Sequence, residues 1–200
     1  MPIRGLKIWE IALFLVRFYQ LGINRVHLLG TSSFLTIALG AYMARHLFDW
    51  VSLDATSWRF AADHAQYFNL CDLSRENLKS SAIIGAEIAN DCPCPYCGGL
   101  SFNQIKEVPF KRRVALLRGH NWWAVDKAFL DLYENSTCLI QLERFLKKRS
   151  KRRGKVDDLC STLSLVEELK DVDIGVLQDI FAINFAKRKP SRARKQTVPA

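Results

Sequence analysis

The sequence predicts an α/β fold that carries a metal-binding subdomain and ends in a helical region. Two short apolar runs, over residues 25–29 and 50–54, alternate with stretches of helical periodicity. Strand, helix, strand, helix is the order of a parallel sheet covered by helices. Three cysteines lie within residues 92–97, and helical periodicity dominates after residue 109. Together these patterns predict a small α/β unit, a metal-binding unit and a helical C-terminal region.

The N-terminal elements follow from apolar spacing and from capping residues. Apolar side chains recur at helical spacing ahead of Gly22, and the run Thr31-Ser32-Ser33 and Ser57 each offer a helix N-cap. The two apolar runs predict buried strands, the first of which is stopped by Gly30. We therefore predict a helix over 9–21, a strand over 25–29, a helix capped within 31–33 and running to about 46, a strand over 50–54 and a helix from 57 to about 68.

The second half of the chain is predicted to be mainly helical. Pro109 is placed to open a helix, and Gly119 to end it directly before His120. Further helices are predicted over 121–134, 137–149, 156–169 and 174–186. The predicted units are 1–69, the strand–helix units; 70–135, the metal-binding subdomain and the helix after it; 136–186, a helical basic region; and 187–200, a basic tail that we expect to be disordered.

The cysteine cluster predicts one structural zinc ion. Cys92-Pro-Cys94-Pro-Tyr-Cys97 is followed after 22 residues by His120-Asn121. Three thiolates and an imidazole are the ligands of a closed tetrahedral zinc site, which has no open position for a substrate. A chance cluster of thiols, or a disulfide with one cysteine left over, is the alternative. Three cysteines in so short a loop, with a histidine downstream, favour zinc.

The composition is that of a globular chain with local positive charge. Of the 200 residues 49% are apolar, and the formal net charge is +9. Residues 144–155 hold eight Lys or Arg, and residues 187–195 hold six more. Such local density indicates a polyanionic partner, although a solvated helix end would give the same pattern. The nucleic-acid-binding residues that we predict are Lys147, Lys148, Arg149, Lys151, Arg152 and Arg153.

Cysteine usage and hydropathy bear on the compartment. Cys71, Cys138 and Cys160 are scattered, so we expect buried free thiols and a reducing, cytoplasmic location. The apolar run over residues 11–16 is too short to span a bilayer and is flanked by charges. We therefore expect neither a signal peptide nor a membrane partner.

The order of the motifs resembles the tRNA-guanine transglycosylase family. The C-x-C-x-x-C-x(22)-H-N spacing is similar to that family's zinc motif, including the Asn after the ligand His. Upstream, RVHLLG over residues 25–30 resembles a late barrel strand, and FDWVSLD over residues 48–54 resembles the last one. The resemblance covers residues 10–135. The stretch DATSW over residues 54–58 is closer to the divergent relatives that insert 7-deazaguanine into DNA.

The resemblance implies a fold and an activity. The chain would be the C-terminal portion of a TIM-type (β/α)8 barrel with an inserted structural zinc-binding subdomain and a helical C-terminal region. The activity would be a base-exchanging glycosyl transfer that replaces guanine by a 7-deazaguanine in tRNA or DNA. Only the last two strand–helix units are matched, so we expect a separately encoded N-terminal barrel half or a homodimer partner to complete the barrel.

The resemblance also implies site residues. Asp54 ends the second predicted strand and would be the nucleophile, with Asp49 as the lesser candidate because it matches the family's Phe-Asp pair. Gly30, Thr31 and Trp58 would contact the substrate. The alternative is a non-catalytic, zinc-containing protein derived from the family that binds nucleic acid or a partner subunit. That alternative explains the basic surplus and the unmatched strands without catalysis.

Overall fold

The computed structural model describes residues 5–30, 33–54, 56–78 and 92–186 and is a mixed α/β structure dominated by helices. The strands are β1 (Arg25–Leu29), β2 (Trp50–Asp54), β3 (Gln66–Phe68) and β4 (Arg75–Asn77). The helices are α1 (Ile8–Gln20), α2 (Phe34–His46), α3 (Ser57–Asp63), α4 (Phe102–Glu107), α5 (Phe110–Glu134), α6 (Leu139–Arg149), α7 (Arg153–Leu169) and α8 (Ile174–Phe181), which continues into a π-helical turn (Ala182–Ala186).

Strands β1 and β2 form a parallel pair with α2 as the crossover helix. Their register places Arg25 opposite Trp50 and Leu29 opposite Asp54. Helix α2 begins behind a Ser33 cap, whose side chain accepts a hydrogen bond from the Thr36 amide, and most of its residues are buried. The strand–helix–strand order that the sequence predicts is thus confirmed. Within the described residues this parallel sheet has two strands.

Only one face of the parallel pair is buried. Val26 and Leu28 of β1 point into the core, whereas Arg25, His27 and Leu29 are exposed. The prediction of a fully buried strand was therefore wrong, because within the described part of the chain the second face has no layer packed on it. His27 instead lies beside the neighbouring strand, with its Nδ1 2.5 Å from Ser52 Oγ.

The helix that the sequence predicts from residue 57 to about 68 ends earlier, at Asp63. Ala65 adopts φ 56°, a left-handed conformation that stops a helix, and the chain then becomes extended. Strand β3 pairs antiparallel with β4, with Tyr67 opposite Glu76. The helical prediction failed because pairing with β4, and burial of Tyr67 and Phe68, outweigh the local helical pattern.

Helix α5 is continuous where the sequence predicts a break. It runs for 25 residues through Gly119, which was expected to end it. A glycine inside a helix costs only about 1 kcal/mol, and here the missing side chain leaves space for a neighbour. A Cβ at Gly119 would lie 2.3 Å from the Tyr96 ring, so the glycine allows the cysteine loop to pack closely on the helix.

The C-terminal helices close the main core over α1 and α2. Helix α7 packs against α1, α2 and α6, and Tyr42 of α2 donates a hydrogen bond to Glu167 of α7. Trp9 of α1 stacks on Phe185 with ring centroids 6.4 Å apart. The predicted helical region is confirmed, whereas the tail predicted over 187–200 lies outside the described residues. None of the helices in the described ranges is long and apolar enough to cross a membrane.

Candidate metal centre

The cysteine loop folds tightly in front of α4. Cys92, Cys94 and Cys97 are 5%, 2% and 1% exposed, so all three thiols face inward. Gly98 makes this loop possible, because a Cβ there would lie 3.0 Å from the carbonyl oxygens of both Cys92 and Cys94. Few real side chains tolerate contacts that short with backbone. Gly98, directly after the last cysteine, is therefore needed for the loop to bring the three cysteines together.

His120 completes the cluster from the middle of α5. Its Nδ1 lies 3.4 Å from Cys92 Sγ, 3.3 Å from Cys94 Sγ and 3.2 Å from Cys97 Sγ. All four donor atoms lie within 4.8 Å of one another. Tetrahedral ligands at ordinary Zn–S and Zn–N bond lengths stand about 3.5 Å apart. The cluster thus has the dimensions of a site for one metal ion, and the sequence prediction that these four residues converge is confirmed.

The ring of His120 is held in the orientation that a ligand needs. Its Nε2 lies 2.9 Å from the Phe68 carbonyl oxygen, which can only accept, so Nε2 carries the proton and donates it. Nδ1 is left with a free lone pair directed at the sulfurs. Tyr67 stacks on the imidazole with ring centroids 3.8 Å apart. Such outer contacts fix the tautomer and orientation of a metal-binding histidine.

Asn121 joins α5 to the strand–helix part of the chain. The side chain is fully buried and makes three hydrogen bonds to backbone groups. Its Oδ1 accepts from the Phe68 amide at 2.9 Å, and its Nδ2 donates to the carbonyl oxygens of Gln66 at 3.0 Å and Trp58 at 3.2 Å. His120 and Asn121 therefore both hydrogen-bond directly to the backbone of β3, His120 through Nε2 and Asn121 through its side-chain amide.

Replacing Asn121 by Ala should lower the free energy of unfolding by about 3 kcal/mol, because one amide and two carbonyl groups would be left buried without partners. Urea denaturation measures the change. Asn184→Ala is the control, since Asn184 is exposed and makes a single bond to the Ile180 carbonyl; it should change stability by less than about 0.5 kcal/mol. Equal effects of the two variants would contradict this role of Asn121.

The thiols of the cluster lie close enough to influence one another's ionisation. Hydrogen bonding with Cys97 lowers the pKa of Cys92 well below that of a free thiol, against the opposing effect of burial. The same hydrogen bond with Cys92, together with burial, raises the pKa of Cys97. Without a cation only part of the cluster can therefore be ionised at neutral pH, whereas a bound cation favours all three thiolates. The charge of the cluster suits a divalent metal ion.

Burial of all four donors limits what the site can do. With His120 fully buried and the sulfurs nearly so, neither water nor a substrate reaches the cluster. Catalytic metal sites keep an open coordination position, whereas structural sites are closed by four protein ligands. The geometry therefore supports a role in folding. Any chemistry of the chain has to come from other residues.

The two aspartates proposed as nucleophile lie at opposite ends of β2. Asp54 is at the carboxyl end and exposed, and its carbonyl oxygen accepts a hydrogen bond from the Gly30 amide at 2.8 Å. Its carboxylate makes no hydrogen bond or ion pair with the described residues. Asp49 precedes the strand and accepts a hydrogen bond from Asn24 Nδ2 at 2.6 Å. The structure therefore separates the two candidates by a full strand length.

The residues predicted to contact a substrate are only partly brought together. Gly30 follows β1 with φ 98°, which favours glycine, and lies beside Asp54. Thr31 lies outside the described residues. Trp58 is half-buried in α3, and its ring packs against the main core. Gly30 and Asp54 are thus adjacent at one end of the parallel pair, and Trp58 is mainly a packing residue.

The basic residues predicted to bind nucleic acid lie at the end of α6, at the start of α7 and between the two helices. Helix α6 ends at Arg149, buried Ser150 follows, and α7 begins at Arg153. Arg149 pairs with Asp131 at 3.1 Å and lies over the Phe145 ring. Lys147 pairs with Glu143 at 2.5 Å, which raises its pKa. Four predicted residues are exposed and make no ion pair with the described residues: Lys148, Lys151, Arg152 and Arg153.

Two features of the site had no clear signal in the sequence. The stacking of Tyr67 on His120 and the Phe68 carbonyl come from β3, which was predicted as helix. The only hint was the Asn after the ligand His, whose hydrogen bonds require backbone groups from another element. No model of a known protein family matches the sequence, and a search of curated proteins also finds no match.

Proposed function

We propose that the metal ion held by Cys92, Cys94, Cys97 and His120 is zinc. Three sulfurs and one imidazole nitrogen suit zinc better than magnesium or calcium, which take oxygen ligands. The ion would supply folding energy and charge neutralisation, and no step of a reaction. The buried donors and the fixed Nδ1 lone pair of His120 support this assignment.

We further propose that the chain is the C-terminal portion of a base-exchanging glycosyltransferase that acts on guanine in tRNA or DNA. The observation that carries the proposal is the position of Asp54. Its exposed carboxylate stands at the carboxyl end of a parallel strand, next to a glycine turn. In parallel α/β barrels catalytic groups lie at that end. The resemblance of the motif order to the transglycosylase family supplies the reaction type.

The proposed reaction needs one carboxylate as nucleophile. An Asp54 oxygen attacks C1′ of the nucleoside, the bond from C1′ to guanine N9 breaks, and the leaving guanine takes up a proton. A glycosyl ester of Asp54 results. The incoming 7-deazaguanine then loses a proton and attacks C1′, which breaks the ester and restores the carboxylate. The two steps balance in charge and protons, and no metal takes part.

Asp49 is the weaker candidate for this role. It lies at the amino end of β2, away from Gly30, and its carboxylate is already bonded to Asn24. A hydrogen-bonded carboxylate at the start of a strand is well placed to fix the preceding turn. We therefore assign Asp49, which matches the Phe-Asp pair of the transglycosylase family, a structural role through its hydrogen bond with Asn24.

The open parallel pair supports the proposal of a partner. In the described part of the chain, β1 and β2 pair only with each other, so each has an unpaired edge. Trp50 is 51% exposed on the uncovered face of the pair. Edge strands with such a face invite further strands. We propose that a separately encoded N-terminal barrel half, or a second copy of this chain, supplies them.

A second candidate function is nucleic-acid or partner binding without catalysis. The exposed cations Lys148, Lys151, Arg152 and Arg153 favour it, because unpaired positive charge can bind a phosphate backbone without an active site. It predicts binding to tRNA or DNA without turnover. It shares the zinc site with the first candidate, so only a test of chemistry separates the two.

Base exchange tests the first candidate directly. Zinc-loaded chain, alone and together with any protein encoded beside it, is incubated with radiolabelled guanine and either tRNA or duplex DNA. We expect label to enter one of the two nucleic acids and to be displaced by a 7-deazaguanine. Binding without label in either nucleic acid, in both preparations, would favour the non-catalytic candidate.

A further inference from the structure

A cavity of about 860 Å³ lies where several elements that are distant in sequence meet. The starts of α1, α2 and α7, the turn after β1 and the loop between β3 and β4 form its walls. Its volume falls in the range of about 300–1,000 Å³ that small-molecule sites occupy. We call it the cationic cavity and define it by the four basic residues in its wall: Lys7, Arg75, Arg152 and Lys155.

The charge of the cationic cavity is concentrated by the fold. Its four cations come from three segments, with Lys7 before α1, Arg75 in β4, and Arg152 and Lys155 at the start of α7, whereas its acidic residues are Asp72 and Asp158. Asp72 accepts a hydrogen bond from the Ser74 amide within its own turn. A solvated helix face would present cations from one element, so the convergence is a tertiary feature. The N-terminal ends of α1, α2 and α7 add to the positive potential.

The cations of the cavity are not neutralised inside the described part of the chain. None of the four forms an ion pair there. Lys7 lies over the Trp9 ring and Arg75 over the Phe68 ring, each with its charge 5.8 Å from the ring centroid. Arg152 and Lys155 are exposed. Unpaired cations around one cavity attract an anionic ligand.

Trp9 gives the cavity an aromatic wall as well. The indole is partly exposed and stacks on Phe185 with an interplanar angle of 14°. Its Nε1 is the buried side-chain nitrogen that lacks a hydrogen-bond partner among the described residues. Aromatic rings beside Lys and Arg are the combination with which proteins hold single nucleic-acid strands, the ring stacking on a base and the cations binding phosphates.

We propose that the cationic cavity binds the phosphate backbone of a single nucleic-acid strand where it passes Gly30 at the end of β1. The inference rests on the nucleic-acid substrate of the proposed function and assigns residues from α1, α7 and the β3–β4 loop to its binding. The spread of four cations around a space larger than one phosphate needs favours a strand of several nucleotides over a free phosphate ion. Gly30 joins the cavity to the end of the sheet that carries Asp54.

A pair of matched double variants tests this site. Lys7→Gln with Lys155→Gln removes two charges from the cavity, and Lys111→Gln with Arg112→Gln removes two exposed charges outside both the cavity and the basic residues predicted to bind nucleic acid. Binding of a labelled single-stranded oligonucleotide is titrated against salt, with thermal melting as the check on folding. Each lost phosphate contact should flatten the slope of log K against log salt by about 0.7. We expect a change of about 1.4 for the cavity pair and a clearly smaller change for the outer pair.

The outcomes separate the site from the proposed function. Equal slopes for the two double variants would overturn the cavity as the binding site while leaving nucleic-acid binding intact. Inorganic phosphate and an unlabelled oligonucleotide are compared as competitors at equal phosphate concentration. If phosphate displaces the labelled oligonucleotide equally well, the cavity is a site for a phosphate ion and the proposal of a nucleic-acid strand is overturned. The cavity double variant could show the expected change in slope while the wild-type protein shows no base exchange. That result would contradict only the proposed glycosyltransferase activity.

Discussion

Replacing Cys94 by Ser should weaken metal binding by more than about 100-fold, since loss of an outer hydrogen-bond partner alone costs about 10–100-fold. It should also loosen the cysteine loop, β3 and the middle of α5 as one unit. The physical reason is that the metal cluster ties these three elements together through His120 and its bond to Phe68. In small structural sites the binding energy of the metal is also folding energy.

Metal content by mass spectrometry and limited proteolysis measure this effect. Wild type should contain one zinc per chain, and chelation should produce the same cleavage pattern as Cys94→Ser. Cys71→Ser is the matched control, because Cys71 lies outside the cluster and, like Cys138, is exposed and not buried as the sequence predicted. It should keep both the metal and the wild-type pattern. Unchanged protease resistance after complete removal of the metal would contradict a structural role.

Replacing Asp54 by Asn should reduce base exchange on the order of 10³-fold or more, as loss of a catalytic nucleophile does in other covalent enzymes. An amide has the same shape but cannot form the glycosyl ester. Because the Asp54 side chain is exposed and free of partners among the described residues, the fold should be unaffected. Incorporation of labelled guanine measures the rate, and thermal melting checks the fold.

Asp49→Asn is the matched control for the nucleophile. It changes the same functional group on the same strand but at the opposite end, where the carboxylate bonds to Asn24. We expect a rate within a few-fold of wild type and a small loss of stability. Full activity of Asp54→Asn, or a loss of activity confined to Asp49→Asn, would show that Asp54 is not the nucleophile.

The parts of the fold that the sequence predicts well are those set by local patterns. Strand β1, helix α2 and strand β2 are each fixed by a short apolar run or a cap, and their bounds agree with the prediction. The four metal ligands were also predicted, because the type and spacing of ligand residues are local properties of the chain. Features that depend on residue identity at short range can therefore be predicted from the sequence alone.

The parts that the sequence did not predict depend on distant contacts. The β3 segment was predicted as helix because its pairing with β4 and its burial over His120 have no local signature. Gly119 was expected to stop a helix, yet the Tyr96 ring fills the space beside it. Arg149 was predicted to bind nucleic acid, but its ion pair with Asp131 of α5 could not be foreseen from the sequence. In each case tertiary packing overrode the local pattern.

The most direct test of the proposed activity is the identification of the residue that becomes covalently attached to nucleic acid. Protein with its partner is incubated with guanine-containing tRNA or DNA in the absence of incoming base, denatured, digested and mapped by mass spectrometry. We predict a glycosyl ester on the peptide that contains Asp54, absent in Asp54→Asn and present in Asp49→Asn. An adduct on Asp49, or base exchange without any adduct on β2, would contradict it.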